Sequence, residues 1–466
     1  MKICLILEGS YPYTFGGVSS WTHNYIKALP RHEFVLWVIG AKASDKGKFK
    51  YELPENVKEV HEVFLDDALL IKPRKKDKFK LGEKERETIK AFIACDRPDW
   101  DVLFDMFQVR RLNPASFLMS DVFLDILTEL CKERYPYVAF ADIFYTIRSM
   151  LIPVLHVIQS DVPQADVYHT VCTGYGGLLA ALANFVTGKK VILTEHGIYS
   201  REREEEIIRA RWVPPEFKRH WIRFFYMLSD VIYKRSEFIT CLFGNASKIQ
   251  IDLGAPKERC QVIPNGIHYD KFCNIPLKED DGIVDIAAVI RLAPIKDVKT
   301  LIYSFNELKS MRKNVRLHIL GGTDDDEYAK ECYDLVKTLG LVDVLFVGQV
   351  NVIEYMEKVD FTILTSISEG QPLSVLESFA AKRPAVTTDV GCCRALIEGE
   401  EEDMYGPAGY CVPPMHREAL AIAMNKLCDS RDLRIEMGTA GQQRAEKYFK
   451  HELMMKRYSS LYRGIY

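Results

Sequence analysis

Two glutamates, Glu369 and Glu377, lie eight positions apart in the segment SISEGQPLSVLES, residues 366–378. A pair of nearby carboxylates can act as the acid and the nucleophile of a glycoside hydrolase. Two carboxylates can equally bind two different parts of one sugar-carrying ligand. The elements that position this pair must therefore decide which chemistry it serves.

The pair is predicted to lie around a strand-to-helix turn. FTILTS, residues 361–366, has the character of a buried strand, and LSVLESFAA, residues 373–381, that of a helix. Glu369 would follow the strand, and Glu377 would lie in the second helical turn, where it suits the hydroxyls of a ribose. The start of a helix favours phosphate, and here it comprises Gly370, Gln371, Pro372 and Leu373.

A pair of cations, Arg291 and Lys296, follows another predicted strand, VDIAAVI, residues 284–290. Arginine binds phosphate as a two-pronged donor, whereas lysine acts as a compact point charge. Two cations in one strand-end loop therefore suit a diphosphate, although Arg and Lys also occur together by chance.

Two motifs of the first half also follow predicted strands. Gly16 and Gly17 come between the strand KICLILE, residues 2–8, and a helix, where glycines let backbone N–H groups approach a phosphate. A plain tight turn is an equal alternative, and the spacing is not that of a dinucleotide-binding loop. His196 follows the strand VILTE, residues 191–195, at the edge where such sheets bind ligands, and is either structural or a hydrogen-bond donor to a sugar.

The composition is that of an ordinary enzyme, with 466 residues, 27% of them charged, and a formal net charge of −3. No nucleic-acid partner is expected, because such proteins usually show a strong basic excess. The twelve cysteines have no zinc-type spacing, and the acidic run GGTDDDEY, residues 321–328, suits either a helix start or a magnesium site. No apolar run is expected to be long enough to cross a bilayer.

Short apolar runs alternate with helical stretches, which predicts an α/β fold of two doubly wound parallel sheets with five predicted strands in each half. The join is predicted near VIPNGIHYDKF, residues 262–272. A helix-rich insertion at about 72–159 opens with the basic run IKPRKKDKFK, residues 71–80, which is either a solvated loop or a surface for anionic lipid or an acidic partner. The predicted domains are residues 1–268, residues 269–445 and a C-terminal helix at 446–466 that is expected to cross back to the first domain.

Together the motifs resemble those of the retaining glycosyltransferases of family 4. The resemblance rests on the E-x7-E spacing, the Arg291/Lys296 pair, GGV after the first strand, EHG at a strand end and PNGI at the join, and it covers the whole chain. EGSYPYTFGGVSSW together with TEHGIYSRERE is similar to the PelF branch, the cytosolic transferases of bacterial Pel exopolysaccharide synthesis. The family implies the GT-B fold, two Rossmann-like domains facing across a cleft.

The resemblance implies a donor site in the second half of the chain. Arg291 and Lys296 would bind the donor diphosphate and offset charge on the leaving nucleotide. Glu377 would bind the ribose, and Glu369 would bind the donor sugar with help from the backbone at residues 370–373.

The remaining motifs receive roles by the same resemblance. Val350, at the end of VLFVGQV, would lie near the base, Gly16 and Gly17 would approach the phosphates, and His196 would face the donor hexose. The leaving phosphate would take the acceptor proton, so that no carboxylate nucleophile is required. The resemblance also implies that no metal and no cofactor are needed, which favours a helix start over a magnesium site at residues 321–328. The implied partners are a UDP-sugar donor, a polysaccharide acceptor and an inner-membrane Pel synthase complex.

The sequence thus predicts a cytoplasmic, retaining, metal-independent transferase that moves a hexose from a UDP-sugar to a growing exopolysaccharide, with a peripheral location at the inner membrane through partners. UDP-glucose, UDP-N-acetylglucosamine and UDP-N-acetylgalactosamine remain open as donors. A GT-B UDP-sugar epimerase would share the diphosphate site without an acceptor, and a non-catalytic sensor subunit of a synthase would bind donor without turnover. The E-x7-E spacing favours transfer, and a hydrolase is the weakest alternative.

Overall fold

The computed structural model describes residues 1–74, 78–400 and 402–465. Over these residues the chain divides into two compact units. The first contains residues 1–262 with the last residues of the chain from Arg463, and the second contains Ile263–Tyr462. The division falls after Val262, within the segment in which the sequence predicts the join.

A parallel sheet organises the first unit, and its described part has seven strands in the spatial order β3-β2-β1-β4-β5-β6-β7. The central strands are buried on both faces, as expected for a parallel sheet covered by helices. The strands are β1 Lys2–Glu8, β2 Glu33–Gly40, β3 Val57–Phe64, β4 Val167–Thr170, β5 Val191–Glu195, β6 Phe238–Cys241 and β7 Cys260–Val262.

The helices of the first unit follow strands or fill the predicted insertion, which is helical as expected. They are α1 Gly17–Lys27, α2 Glu83–Ile93, α3 Trp100–Phe104, α4 Pro114–Phe117, α5 Asp121–Arg134, α6 Phe140–Ile158, α7 Gly174–Thr187, α8 Tyr199–Arg209, α9 Pro215–Arg235 and α10 Gly244–Asp252. Part of the basic run, residues 75–77, lies outside the described residues.

Helix α6 corrects one expectation. It is long and apolar enough, by length and composition alone, to cross a membrane, and within the described residues it is the helix that meets this test. The sequence hides this length because Asp142 and Arg148 interrupt the apolar residues. About half of the helix is buried, and its apolar residues, such as Ile147 and Leu151, belong to the hydrophobic core of the first unit.

The second unit contains a second parallel sheet, with six strands among the residues described, in the order β10-β9-β8-β11-β12-β13. The strands are β8 Val284–Val289, β9 Val315–Leu320, β10 Val344–Gly348, β11 Phe361–Leu364, β12 Ala385–Thr388 and β13 Gly409–Val412. The helices are α11 Val298–Met311, α12 Asp326–Thr338, α13 Val352–Tyr355, α14 Leu373–Ala380, α15 Cys393–Glu398, α16 Arg417–Asp429, α17 Arg431–Tyr448 and α18 His451–Ile465.

The sequence predicts one continuous C-terminal helix from residue 446. The structure instead has the end of α17 and a separate helix, α18, in this segment. The break arises because the backbone here bonds to Ile267, whose N–H donates to the Phe449 carbonyl and whose carbonyl accepts the N–H of His451. Gly266 allows this approach, since a Cβ there would lie 2.6 Å from the His451 Cα atom.

Both sheets have the strand order of a doubly wound fold, in which the chain reverses direction along the sheet beside one central strand. The reversal lies between β1 and β4 in the first unit and between β8 and β11 in the second. The predicted fold class is therefore confirmed. Ligands of such sheets bind at the carboxyl ends of the strands beside this reversal.

Candidate functional site

Lys296 and Glu369 form an ion pair beside the reversal of the second sheet. Lys296 lies in the loop after β8, Glu369 in the loop after β11, and these two strands are neighbours. The Lys296 Nζ donates to Glu369 Oε1 at 2.5 Å. Both side chains are largely buried, with exposed fractions of 18% and 13%. Two residues distant in sequence are thus brought together where the fold binds ligands.

Hydrogen bonds join these two loops into one structure. The Thr365 hydroxyl donates to the Lys296 carbonyl at 2.9 Å, and the Ile367 N–H donates to the Ile295 carbonyl at 2.9 Å. Ser366 Oγ donates to the same Glu369 oxygen that meets the lysine, at 2.5 Å. The sequence analysis did not identify Ser366, although its position three residues before Glu369 in the exit loop was a usable signal.

The loop after β12 supports the Glu369 loop from the other side. Gly391 has a positive φ of 56°, and a Cβ there would lie 2.2 Å from the Glu369 carbonyl oxygen. The next residue, Cys392, donates its N–H to the Gly370 carbonyl at 3.1 Å. A glycine is therefore required at residue 391, because any side chain would push this loop away from Glu369.

Glu377 differs from Glu369 in its surroundings. It lies in the second turn of α14, as predicted, and among the described residues its carboxylate has no hydrogen-bond or ion-pair partner. Burial raises the pKa of Glu377 to about 7, and this desolvation is the cause of the shift. A partly buried carboxyl group without a protein partner is suited to accept hydrogen bonds from a ligand.

The turn that begins α14 is partly used within the protein. The Gln371 side-chain oxygen accepts the N–H of Asn265, in the PNGI motif, at 2.6 Å, and Gln371 is buried. Pro372 occupies the N-cap position and Leu373 is the first residue of the helix. Gln371 therefore anchors the turn, which leaves the backbone N–H groups at the helix start as the groups for a ligand.

Arg291 and Val350 follow two strands of the same sheet, β8 and β10, which are separated by β9. Arg291 follows β8, is half exposed and forms an ion pair with Asp324. Val350 follows the edge strand β10 and is partly buried.

The acidic run, residues 321–328, contributes a helix cap and an ion pair to the second unit. Asp325 caps α12 by accepting the Tyr328 N–H at 2.9 Å, and its neighbour Asp324 pairs with Arg291. In residues 1–74, 78–400 and 402–465 we find no cluster of three or more His, Cys, Asp or Glu side chains arranged for a metal ion.

In the first unit, His196 lies directly after β5 and against α1. Its ring is nearly perpendicular to that of Trp21, with centroids 4.5 Å apart. Burial lowers the pKa of His196 to about 4, so the imidazole is neutral at pH 7. Its Nε2 is buried and has no partner among the residues that the structure describes. A neutral imidazole with an unused nitrogen can exchange a hydrogen bond with a sugar hydroxyl.

Gly16 and Gly17 begin α1, one helical turn before Trp21, so the structure brings this turn and His196 into the same part of the first unit. A Cβ added at either glycine would meet no atom within 4 Å. Gly16 has a φ of 171°, an extended conformation that any residue adopts. Packing within the protein therefore does not require these glycines, and the open space above them is available to a ligand.

Two glutamates that end strands of the first unit were not among the predicted site residues, although each lies at the edge of the sheet where ligands are expected. Glu8, the last residue of β1, accepts the Tyr199 hydroxyl at 2.9 Å and the Gly176 N–H at 3.0 Å. Glu195, the last residue of β5, accepts the Tyr233 hydroxyl at 2.7 Å, and burial raises its pKa to about 7. A glutamate that ends an apolar strand was the available signal in both cases.

The two parallel sheets with their covering helices match the GT-B fold of solved glycosyltransferases. Residues 275–444 match the family model described as "Glycosyl transferases group 1". The Anabaena protein HepE, whose crystal structure contains UDP, aligns with a TM-score of 0.62 at 14% identity, covering 100% of both chains. The second half of the chain is thus a glycosyltransferase group 1 domain.

The first half defines the particular family. Residues 1–258 match the model described as "Domain of unknown function (DUF3492)", and the chain belongs to this family.

The chain is also similar to two curated glycosyltransferases. It is 26% identical to an MMP alpha-(1->4)-mannosyltransferase of Mycolicibacterium hassiacum, over 61% of this chain and 67% of that protein. It is 27% identical to the capsular polysaccharide biosynthesis glycosyltransferase CapM of Staphylococcus aureus, over 42% and 52%. The chain thus spans between about half and two thirds of the length of these relatives.

Proposed function

We propose that this protein is a retaining, metal-independent glycosyltransferase that moves a hexose from a UDP-sugar to a growing exopolysaccharide. The observation that carries the proposal is the Lys296–Glu369 ion pair, formed between adjacent loops beside the reversal of the group 1 sheet. A cation held there by a carboxylate can offset the charge that develops on a leaving diphosphate.

The donor would occupy the carboxyl edge of the second sheet. Lys296 binds the diphosphate together with Arg291, which exchanges its contact with Asp324 for a phosphate. Glu377 accepts both ribose hydroxyls, a role supported by its desolvated carboxyl group. Glu369 binds the transferred sugar with the backbone N–H groups at residues 370–373, and Val350 lies near the base.

The chemistry proceeds without a carboxylate nucleophile. The acceptor hydroxyl oxygen attacks the anomeric carbon on the face from which the diphosphate departs, the bond from this carbon to the phosphate oxygen breaks, and a leaving phosphate oxygen takes the acceptor proton. Glu369 is unsuited as a nucleophile because one of its oxygens already accepts hydrogen bonds from Lys296 and Ser366. Gly16 and Gly17 assist at the phosphates, and His196 binds a hydroxyl of the hexose.

The choice of UDP is supported by the likeness in fold to HepE, which has been solved with UDP and with UDP-glucose. The similarity to CapM supports a polysaccharide product. The finer assignment to family 4 and its PelF-like branch, in Pel exopolysaccharide synthesis, rests on the resemblance of the motifs. UDP-glucose, UDP-N-acetylglucosamine and UDP-N-acetylgalactosamine are the proposed donors.

Replacement of Glu369 tests catalysis against mere donor binding. We expect Glu369→Ala and Glu369→Gln to lose sugar transfer while UDP binding, measured by calorimetry, stays within about threefold of the unmodified protein. Glu354→Ala, a change of an exposed glutamate on α13 in the same unit, is the control. If the unmodified protein binds UDP but transfers sugar to no acceptor, the protein is a sensor subunit and the proposal is wrong.

We also propose a cytoplasmic location, peripheral at the inner membrane through a Pel-type synthase complex. The basic run that would support docking is described only in part, with residues 75–77 outside the described residues. Flotation with vesicles tests whether the basic run docks to membranes, by comparing the unmodified protein with a variant in which Lys72, Arg74, Lys78 and Lys80 are neutralised. Unchanged membrane association in that variant would contradict a role for this run.

A further inference from the structure

The first unit contains a groove that none of the proposed donor contacts uses. It has a volume of about 600 Å³ and runs between helix α1 and the segment of residues 50–56, which leads into β3. His23 and Lys27 contribute one wall from α1, and Tyr51 lies on the other. A volume of this size is within the range of small-molecule and cofactor sites.

Aromatic rings gather at one end of this groove. The Tyr51 ring lies 5.1 Å from that of His23 and 5.1 Å from that of Phe15, measured between centroids. Phe15 is 65% exposed although it is fully apolar, and it directly precedes Gly16. Lys50 Nζ lies 5.8 Å from the centre of the Phe15 ring, and the exposed part of this ring, beside the groove, is suited to stack on a ligand with an apolar face.

The charges along the groove cancel. Lys27 and Lys50 are balanced by Glu52 and Glu55, and all four side chains are exposed. Burial lowers the pKa of His23, with a further contribution from Lys27, so this imidazole adds no charge at pH 7. A surface of mixed sign and no net charge disfavours a polyanion and suits a neutral ligand with many hydroxyl groups.

Hydrogen-bonding groups are held in place along the walls. The Tyr11 hydroxyl and His23 Nδ1 lie 3.2 Å apart, which fixes the histidine ring and leaves its Nε2 for a ligand. The Asn56 amide donates to the carbonyls of Ile26 and Leu29, at 2.9 Å and 3.2 Å, which orients its side chain on the backbone of α1. Fixed polar groups next to exposed rings are the usual elements of a carbohydrate site.

We infer that this groove binds a neutral oligosaccharide segment, with Phe15 and Tyr51 stacking on the C–H faces of pyranose rings and His23 hydrogen-bonding to their hydroxyl groups. The inference rests on the proposed function, because the segment would belong to the acceptor glycan. The groove lies beside the turn that carries Gly16 and Gly17, so a glycan bound there is held next to the start of α1.

The experiment measures binding of short β-linked oligomers of glucose, N-acetylglucosamine and N-acetylgalactosamine to the full chain by ligand-observed NMR and calorimetry. We expect at least one oligomer to bind and Phe15→Ala and Tyr51→Ala each to weaken it roughly fivefold to tenfold, with UDP affinity unchanged. Tyr145→Ala is the matched control, because Tyr145 is also 65% exposed in the same unit but on helix α6. His23→Ala should weaken binding less, since it removes one hydrogen bond.

Two outcomes would overturn the inference. The first is that none of these oligomers binds, whether or not the polyanion heparin does. The second is that the Phe15→Ala and Tyr51→Ala variants bind the oligomers as tightly as the unmodified protein does. Circular dichroism of each variant shows whether a loss comes from unfolding, and the conservative variants Phe15→Tyr and Tyr51→Phe should keep binding. Failure of the proposed function would instead appear as an absence of UDP binding to the unmodified protein, because none of the proposed donor contacts lies in this groove.

Discussion

In the second unit the strand ends carry charged side chains, with Lys296 bound to Glu369 and Arg291 bound to Asp324. In the first unit the corresponding positions carry groups whose pKa values are shifted by burial toward the neutral form. There the pKa of His196 is lowered to about 4, and that of Glu195 is raised to about 7. The two sheets thus share a strand order but differ in the electrostatics of their carboxyl edges.

This difference suits the two units to two tasks, stabilisation of charge in the second unit and recognition of hydroxyl groups in the first. Charged groups that already have a partner can exchange it for a phosphate at low cost, which suits the leaving diphosphate. Neutral, desolvated groups cannot offset a charge, but they recognise hydroxyl groups by hydrogen bonds. We expect substitutions in the second unit to act through charge and those in the first unit to act through hydrogen bonding.

The largest effect is expected for Lys296→Ala. Loss of this cation removes the group that we propose offsets charge on the leaving diphosphate, and kcat/KM should fall by about 10²–10³-fold. Lys299→Ala is the control, because Lys299 lies three residues away and pairs with Glu331 on the surface. Steady-state kinetics with a UDP-sugar measures both. Equal activity of the two variants would contradict a role for Lys296 in catalysis.

His196 should show a smaller effect of a different kind. We expect His196→Phe, which keeps a ring against Trp21, to lower kcat by roughly a hundredfold without changing UDP affinity. Because the pKa of His196 is about 4, its titration should produce no inflection in activity near neutral pH. His61→Phe, at a half-exposed histidine of the edge strand β3, is the control. A fall in UDP affinity equal to the fall in kcat would contradict a hexose contact.

Substitution of Glu377 should have the smallest effect on function, and its effects on stability and on UDP affinity should depend on pH. Its pKa is about 7 in the fold against an ordinary value of 4.5, so ionisation destabilises the folded state progressively as pH rises from about 4.5 to about 7. Glu377→Gln should therefore raise the free energy of unfolding by on the order of 1–3 kcal/mol at about pH 8 and by little at about pH 4. Urea unfolding at both pH values measures this.

The same substitution should weaken UDP binding about tenfold at alkaline pH, because an ionised carboxylate accepts ribose hydroxyls more strongly than an amide does. In the unmodified protein UDP affinity should rise as pH passes through about 7, and in the variant this rise should be absent. Glu398→Gln, on the exposed part of α15, provides the control. A pH-independent affinity in the unmodified protein would contradict the ribose contact.

The sequence predicts most of the two sheets because their central strands are continuous apolar runs, such as β1 and β5, whose predicted bounds agree with the structure. The strands that were missed, β3, β7 and β13, are all at sheet edges. An edge strand such as β3, VKEVHEVF, is partly exposed and carries charged residues, so it has no apolar run to detect.

The positions of the candidate site residues were predictable where a residue follows a recognisable strand, as Lys296, Glu369 and His196 do. Contacts between side chains or loops that are far apart in the sequence were not predictable, because they depend on how the folded segments pack. The bonds from Gln371 to Asn265 and from Arg291 to Asp324 join residues 106 and 33 positions apart. The break between α17 and α18 likewise depends on hydrogen bonds to Ile267, which helical periodicity does not reveal.

Calorimetric titration of the full chain with UDP, GDP and ADP, each with and without EDTA, tests the central claim most directly. We expect UDP to bind in preference to the other two nucleotides and its affinity to survive removal of divalent cations, because Arg291 and Lys296 are the groups proposed to supply the charge for the diphosphate. Binding of no nucleotide, or binding of UDP only when magnesium is present, would contradict the central claim.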